Sequence, residues 1–167
     1  MTRKIKLLIV DDEERFLRTL AQRLTLRDFD VTPVNNGAQA VEIAQQQAFD
    51  LAIVDLKMPG IGGEKVLELL KEQDPHIEVV ILTGHGTIDS AVECTKLGSY
   101  HYLQKPCETE ELLGVLKNAY QRRVQSRFRI DEDRMSALLE SAIRESPLAI
   151  LRKLRELEEA GGQKPGE

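Results

Sequence analysis

Five short apolar runs, each followed by a stripe of apolar residues at helical spacing, leave few folds open to this chain. The runs are Ile5 to Val10, Phe29 to Val34, Leu51 to Val54, Val79 to Leu82 and Tyr100 to Leu103, too short for helices and rich in branched or aromatic residues. The stripes between them run through Phe16, Leu17, Leu20, Ala21 and Leu24, then Ala40, Val41 and Ala44, then Val66, Leu67 and Leu70, then Ile88, Ala91 and Val92, and last Leu112, Val115, Leu116 and Ala119. Strands that alternate with helices predict an α/β fold in which a parallel sheet is covered on both faces. Near-continuous apolar runs suit central strands. The second run instead alternates Phe29 and Val31 with Asp30 and Thr32 and contains Pro33, which cannot donate to a ladder, so it belongs at an edge.

The fifth stripe is expected to end near Arg123. Beyond it no strand run occurs, but Met135, Leu138, Leu139, Ala142 and Ile143 form one helical stripe and Ile150, Leu151, Leu154 and Leu157 another, separated by Ser146 and Pro147 as cap and first turn. The expected division is therefore a domain over 1–124, a two-helix extension over 125–160 and a disordered tail over 161–167. Arg122, Arg123, Arg127 and Arg129 read as the solvated end of the fifth helix, where cations suit the helix dipole.

Composition narrows the function. A net charge of -5 is not that of a nucleic-acid coat, so direct binding to nucleic acid is not expected. No apolar run reaches the roughly 20 residues of a membrane helix, and the start turns acidic too soon for a signal peptide, which points to a cytoplasmic protein with no membrane contact. Cys94 and Cys107 lack zinc-site spacing and read as reduced and structural.

In an open parallel sheet the chemistry lies just beyond the carboxyl ends of the strands. Asp11 and Asp12 follow the first run, Asp55 the third, Thr83 the fourth, and Lys105 with Pro106 the fifth. Each alone has an ordinary reading: a helix cap, a loop carboxylate, a strand-end hydroxyl, a solvated charge. Together they are hard to assign to chance. Carboxylates that crowd together either raise a pKa or bind a hard cation, and Mg²⁺ takes oxygen ligands while keeping several waters. Asp12 and Asp55 are the expected direct ligands, with Asp11 acting through water. Asp55, alone at the centre, is the candidate nucleophile toward a phosphoryl group, which Lys105 and Thr83 would then contact.

These positions, with the stretches Leu7 to Glu13, Asp55 to Gly60 and Leu82 to Gly86, resemble the signature of the receiver domain of two-component response regulators, over roughly residues 4–124. The resemblance implies a doubly wound, flavodoxin-like sheet of strand order 2-1-3-4-5. It implies that Asp55 accepts phosphate from a sensor histidine kinase, that the Lys57 backbone carbonyl completes a Mg²⁺ site, and that Lys105-Pro106 is a cis peptide. It also implies that Thr83 and Tyr102 act as the switch pair, and that the chain is no enzyme beyond transfer to its own Asp55 and slow autodephosphorylation. Thr83-Gly84-His85-Gly86 is most similar to the nitrogen-regulation and dicarboxylate-transport branch; His85 would either screen the site from water or be an ordinary surface histidine. Members of that branch continue into an ATPase and a DNA-binding helix-turn-helix, and no Gly-x-x-x-x-Gly-Lys loop occurs here. Whether the chain is whole or the receiver fragment of a longer transcriptional regulator stays open, as does the role of residues 125–160.

The output would be protein-protein interaction, with a homodimer through the fourth helix, fifth strand, fifth helix and C-terminal helices preferred over a cap folded back on the receiver. Two other functions compete. An aspartyl-nucleophile phosphatase would place Asp-x-Asp after the first strand, and a flavin module would need a glycine- and hydroxyl-rich loop where Asp11-Asp12-Glu13-Glu14 stands.

Overall fold

A computed structural model describes residues 3–143 and 147–161. The elements follow one another as β1 (Ile5–Val10), α1 (Glu14–Thr25), β2 (Phe29–Val34), α2 (Gly37–Gln46), β3 (Leu51–Val54), α3 (Gly63–Gln73), β4 (Glu78–Thr83), α4 (Ile88–Lys96), β5 (His101–Gln104), α5 (Thr109–Ile143) and α6 (Pro147–Gly161). The five strands form one parallel sheet in the order β2-β1-β3-β4-β5, with Pro33 on the edge strand as its chemistry requires.

The period of two along each strand sorts the core into two layers. Leu7 and Ile9 of β1, Ile53 of β3 and Leu82 of β4 pack with Leu17 and Leu24 of α1 and Leu112 and Leu116 of α5. Their strand neighbours Leu8, Val10, Val54 and Ile81 pack on the other face with Val66 and Leu70 of α3 and Cys94 of α4. Both thiols are free, and burial pushes the Cys94 thiol up to about 11, which makes it inert at neutral pH.

The chain divides between Ser126 and Arg127 into two compact units, and α5 runs through that point. The expected helix end near Arg123 is therefore absent. No glycine or proline interrupts residues 115–146, so nothing stops the helix there, and the stripe of Met135, Leu138 and Leu139 is the far end of α5, not a helix of its own. In the second unit Lys153 Nζ of α6 donates to Ser141 Oγ of α5 at 2.8 Å. Phe128, Met135, Leu139, Leu151 and Leu154 are exposed there. Of the tail expected to be disordered over 161–167, Gly161 belongs instead to α6, while 162–167 and the cap at Ser146 lie outside the described residues.

The reading of Arg123 as a solvated cation is also overturned. It is 3% exposed, with Nε 3.1 Å from Asp50 Oδ1 and Nη1 3.0 Å from Asp74 Oδ2. Asp50 precedes β3 and Asp74 ends α3, so one guanidinium ties α5 to the amino-terminal side of the sheet.

Candidate functional site

The carboxyl ends of β1, β3, β4 and β5 bring the predicted residues to one rim. Asp11 and Asp55 follow their strands directly, held by backbone bonds from Asp11 N to Val34 O at 3.2 Å and from Asp55 N to Val10 O at 3.0 Å. Each carboxylate turns back on its own loop: Asp11 Oδ1 accepts the Glu13 N–H at 2.9 Å and Asp55 Oδ1 accepts the Leu56 N–H at 2.9 Å. Asp11 and Asp55 are both 2% exposed, and Asp12 is the least buried of the three. One oxygen from each of Asp11, Asp12 and Asp55 lies within 4.8 Å of the others.

Only one cation faces this trio among the described residues. Lys105 Nζ donates to Asp11 Oδ2 at 2.6 Å and stands 3.4 Å from Glu13 Oε1. Burial pushes the Asp11 carboxyl above the usual carboxylate range, against the hydrogen bonds from Lys105 and the Glu13 backbone. Burial opposes charge on Lys105, yet the bond to Asp11 and the fields of Asp11, Asp55 and Glu13 outweigh it and hold its pKa above the ordinary lysine value. Three hard carboxylates, with an ammonium paired to one of them, form a donor set that suits a small divalent cation. The Lys105-Pro106 peptide is cis, as the resemblance implies.

Gly63 opens α3 against this site. A Cβ there would stand 2.1 Å from the Asp55 carbonyl oxygen, so only glycine lets the helix start so close to the phosphoacceptor candidate. Lys57 is exposed in the loop after β3.

Thr83 is fully buried at the end of β4, and its Oγ accepts the His85 N–H at 3.2 Å. The His85 side chain is exposed. Tyr102 lies half-buried on β5 with its hydroxyl 2.8 Å from Ser90 Oγ, and a Cβ on Gly86 would meet that hydroxyl at 2.5 Å. Ser90 also completes the capping box of α4 with Thr87, so the tyrosine is hydrogen-bonded to the helix cap itself. The sequence reading missed Ser90, although Thr87-x-x-Ser90 ahead of a helical stripe carried a cap signal. It also missed Phe16, which it placed in the core stripe: Lys105 Nζ stands 4.0 Å from the centroid of that ring.

The family model for the response regulator receiver domain matches residues 7–117. The chain belongs to that family. This receiver is 36% identical over 118 residues to an NtrX-like response regulator of Rickettsia typhi, a match that covers 70% of this chain and 25% of that protein. The chain spans about a quarter of the length of the first curated relatives it matches. Among solved structures, a receiver domain from Clostridium thermocellum superposes with a TM-score of 0.69 at 32% identity, over 72% of this chain and 98% of that one. A response regulator from Burkholderia pseudomallei, solved with a phosphorylated aspartic acid, a calcium ion and citrate, reaches a TM-score of 0.66 at 26% identity over 91% of this chain and 93% of that one. Receiver domains bind Mg²⁺ through acidic residues, and the receiver here presents such a cluster.

Proposed function

We propose that the chain is a phosphorylation-controlled switch that takes a phosphoryl group on Asp55 from a sensor histidine kinase. The observation that carries this reading is the cluster of Asp11, Asp12 and Asp55, the first and last of them buried, with Lys105 as the close cation beside Asp11 among the described residues. A carboxylate oxygen of Asp55 attacks phosphorus, the O–P bond forms as the P–N bond to the donor imidazole breaks, and the imidazole leaves with the bonding pair. Lys105 pairs with one phosphoryl oxygen and the Thr83 hydroxyl donates to another.

Asp11, Asp12, Asp55 and the Lys57 carbonyl would hold Mg²⁺, and the three hard carboxylates at this spacing fit it. Bound there, Mg²⁺ neutralises charge on the carboxylates and the phosphoryl oxygens. The division into a receiver over 1–124, an extension over 125–160 and a tail over 161–167 is part of the same proposal, as is a cytoplasmic setting. No helix of the described residues is long and apolar enough to cross a membrane.

Phosphate shifts the balance of two states, coupled through Thr83 and Tyr102 to the face of α4, β5 and α5. Ile88 and Val92 of α4 are 84% and 48% exposed, which supports that face as a docking surface for a second copy. Apart from transfer to its own Asp55 and slow loss of that phosphate, the chain performs no catalysis. The second reading, a receiver piece of a longer transcriptional regulator, is favoured by the quarter-length match to its relatives.

The test is incubation with Mg²⁺ and acetyl phosphate, followed by mass measurement. One added phosphate that disappears in Asp55→Asn is expected. Equal uptake by that variant overturns the assignment. Light scattering on the full chain, with and without a phosphate mimic, then checks for the dimer, and a monomer in both states removes it.

A further inference from the structure

Lys105 is caught on three sides by one short stretch of chain. Asp11 takes its ammonium at 2.6 Å, Glu13 stands at 3.4 Å, and the face of the Phe16 ring lies 4.0 Å away. The Lys105 side chain is 12% exposed as a result, whereas the Glu13 side chain is 60% exposed and its carboxylate is screened by water. The two effective restraints on this cation are therefore Asp11 and the ring. Asp11 sets how deep the ammonium reaches. The ring covers a second side of the ammonium, and its electron-rich face adds to the Asp11 pair an attraction that a leucine at the same place would not supply.

We infer that Phe16 is a positioning residue for phosphoryl transfer: its ring face holds the Lys105 ammonium at the acidic rim, so that the cation is in place when a phosphoryl group reaches Asp55. This rests on the reading of Asp55 as phosphoacceptor. A lysine stem is flexible and loses rotamer freedom when its head is fixed. In a chain where the ring fixes it beforehand, that ordering is complete before the transition state, and less of the barrier remains. Helical geometry explains how α1 supplies the ring. Glu13 and Phe16 are three residues apart at the start of the helix and so share a face, and β1 has just delivered Asp11 to the same rim.

A purely packing role for Phe16 makes a different forecast, because packing depends on shape and the inferred role depends on ring charge. The experiment replaces Phe16 with phenylalanines carrying one, two and three fluorines, which empty the ring face of negative potential with little change of size, and adds Phe16→Leu and Phe16→Trp. Two quantities are read on the full chain: the ring-current shift of the Lys105 ε-methylene protons in the resting state, and the rate at which acetyl phosphate with Mg²⁺ modifies Asp55.

The shift should be present in wild type and lost in Phe16→Leu. The rate should fall stepwise with fluorination to roughly threefold to tenfold below wild type, fall at least as far in Phe16→Leu, and be kept in Phe16→Trp. A flat fluorine series with a modified Asp55 overturns the inference alone, as does absence of the shift in wild type. An unmodified Asp55 with the shift intact overturns the phosphoacceptor reading, and the inference with it.

Discussion

The two rims of the sheet carry the same number of buried or half-buried acids and treat them in opposite ways. At the carboxyl ends of the strands Asp11, Asp12 and Asp55 cluster beside one close cation, Lys105, which pairs with Asp11. At the amino ends Asp50, Asp74 and Glu78 meet three arginines: Arg123 bridges Asp50 and Asp74, Arg3 reaches Asp50 at 3.2 Å, and Arg122 reaches Glu78 at 3.4 Å. Asp50 Oδ2 also accepts the Lys6 N–H at 2.9 Å. Charge that the chain neutralises for itself becomes structure, because the pair can be buried and fixes the elements that bear it. Charge that the chain leaves in deficit stays available for a cation or a phosphoryl group from outside. The balance at the lower rim is nearly complete, with Glu78 Oε2 the buried side-chain oxygen left without a hydrogen bond among the described residues.

The sharpest way to break this comparison is at the two centres. Asp55→Asn should abolish uptake of phosphate, as measured by mass, while its melting temperature stays close to wild type or rises, because one member of a repelling trio has gone. Arg123→Met should do the reverse. It strands buried Asp50 with only the exposed Arg3 and the Lys6 N–H as partners, and should cost about 3 kcal/mol in urea unfolding, with the phosphorylation rate of the folded protein within about twofold of wild type. A loss below about 1 kcal/mol would mean that the lower rim is not a fastening.

A smaller contrast comes from removing one charge at each rim. In the absence of Mg²⁺, Asp12→Asn should stabilise the protein by about 0.5 kcal/mol and weaken Mg²⁺ binding by roughly tenfold, whereas Asp74→Asn should destabilise it by about 1 kcal/mol, since Asp74 is partly open to solvent. The same sign in both would erase the distinction. The pH profile adds a check. Burial would raise the Asp74 pKa, but the His76 N–H and the Arg123 guanidinium outweigh it and hold the carboxyl below its ordinary 3.8. Its contribution is therefore whole above about pH 3.8 and lost as pH falls through the lower folded value. Glu78 has the opposite sign, because burial lifts it above 4.5 and its ionised form is a liability that acid relieves. The stability difference between wild type and Asp74→Asn should thus stay constant from pH 7 to near pH 4 and shrink only below that. Urea unfolding across this range reads it.

The upper rim was legible in the sequence because its residues follow strands that announce themselves. β1, β2 and β3 coincide with the apolar runs, and an acid directly after such a run can only stand at the carboxyl edge. β4 and β5 are displaced at their ends, from Val79–Leu82 to Glu78–Thr83 and from Tyr100–Leu103 to His101–Gln104, for a physical reason: the pairing of Leu51 with Glu78 and of Thr83 with Gln104 extends the ladder past the apolar residues. The lower rim was not legible. Arg123 meets Asp50 across 73 residues, and no local pattern tells a buried guanidinium from a solvated one. The signal that could have helped was negative, the lack of any helix stop after Ala119. Phe16 was hidden differently, because its spacing fits the core stripe and only the position of β5 reveals that a cation sits on its ring.

The smallest effect should come from Glu13, and it sharpens the count on which the comparison depends. Its carboxylate lies 3.4 Å from Lys105 Nζ, close enough by distance alone to be a fourth acid of the upper rim. Its side chain is 60% exposed, however, so water and salt screen the pair, and the useful part of Glu13 is its backbone N–H, which holds Asp11 Oδ1 whatever the side chain. Glu13→Gln should therefore change Mg²⁺ affinity and the rate of Asp55 phosphorylation by less than about twofold. Titration calorimetry with MgCl₂ on this variant beside Asp12→Asn decides the matter. If the two variants lose affinity equally, Glu13 belongs to the site, the upper rim holds four acids against one lysine, and exposure is no guide to which carboxylates the cation feels.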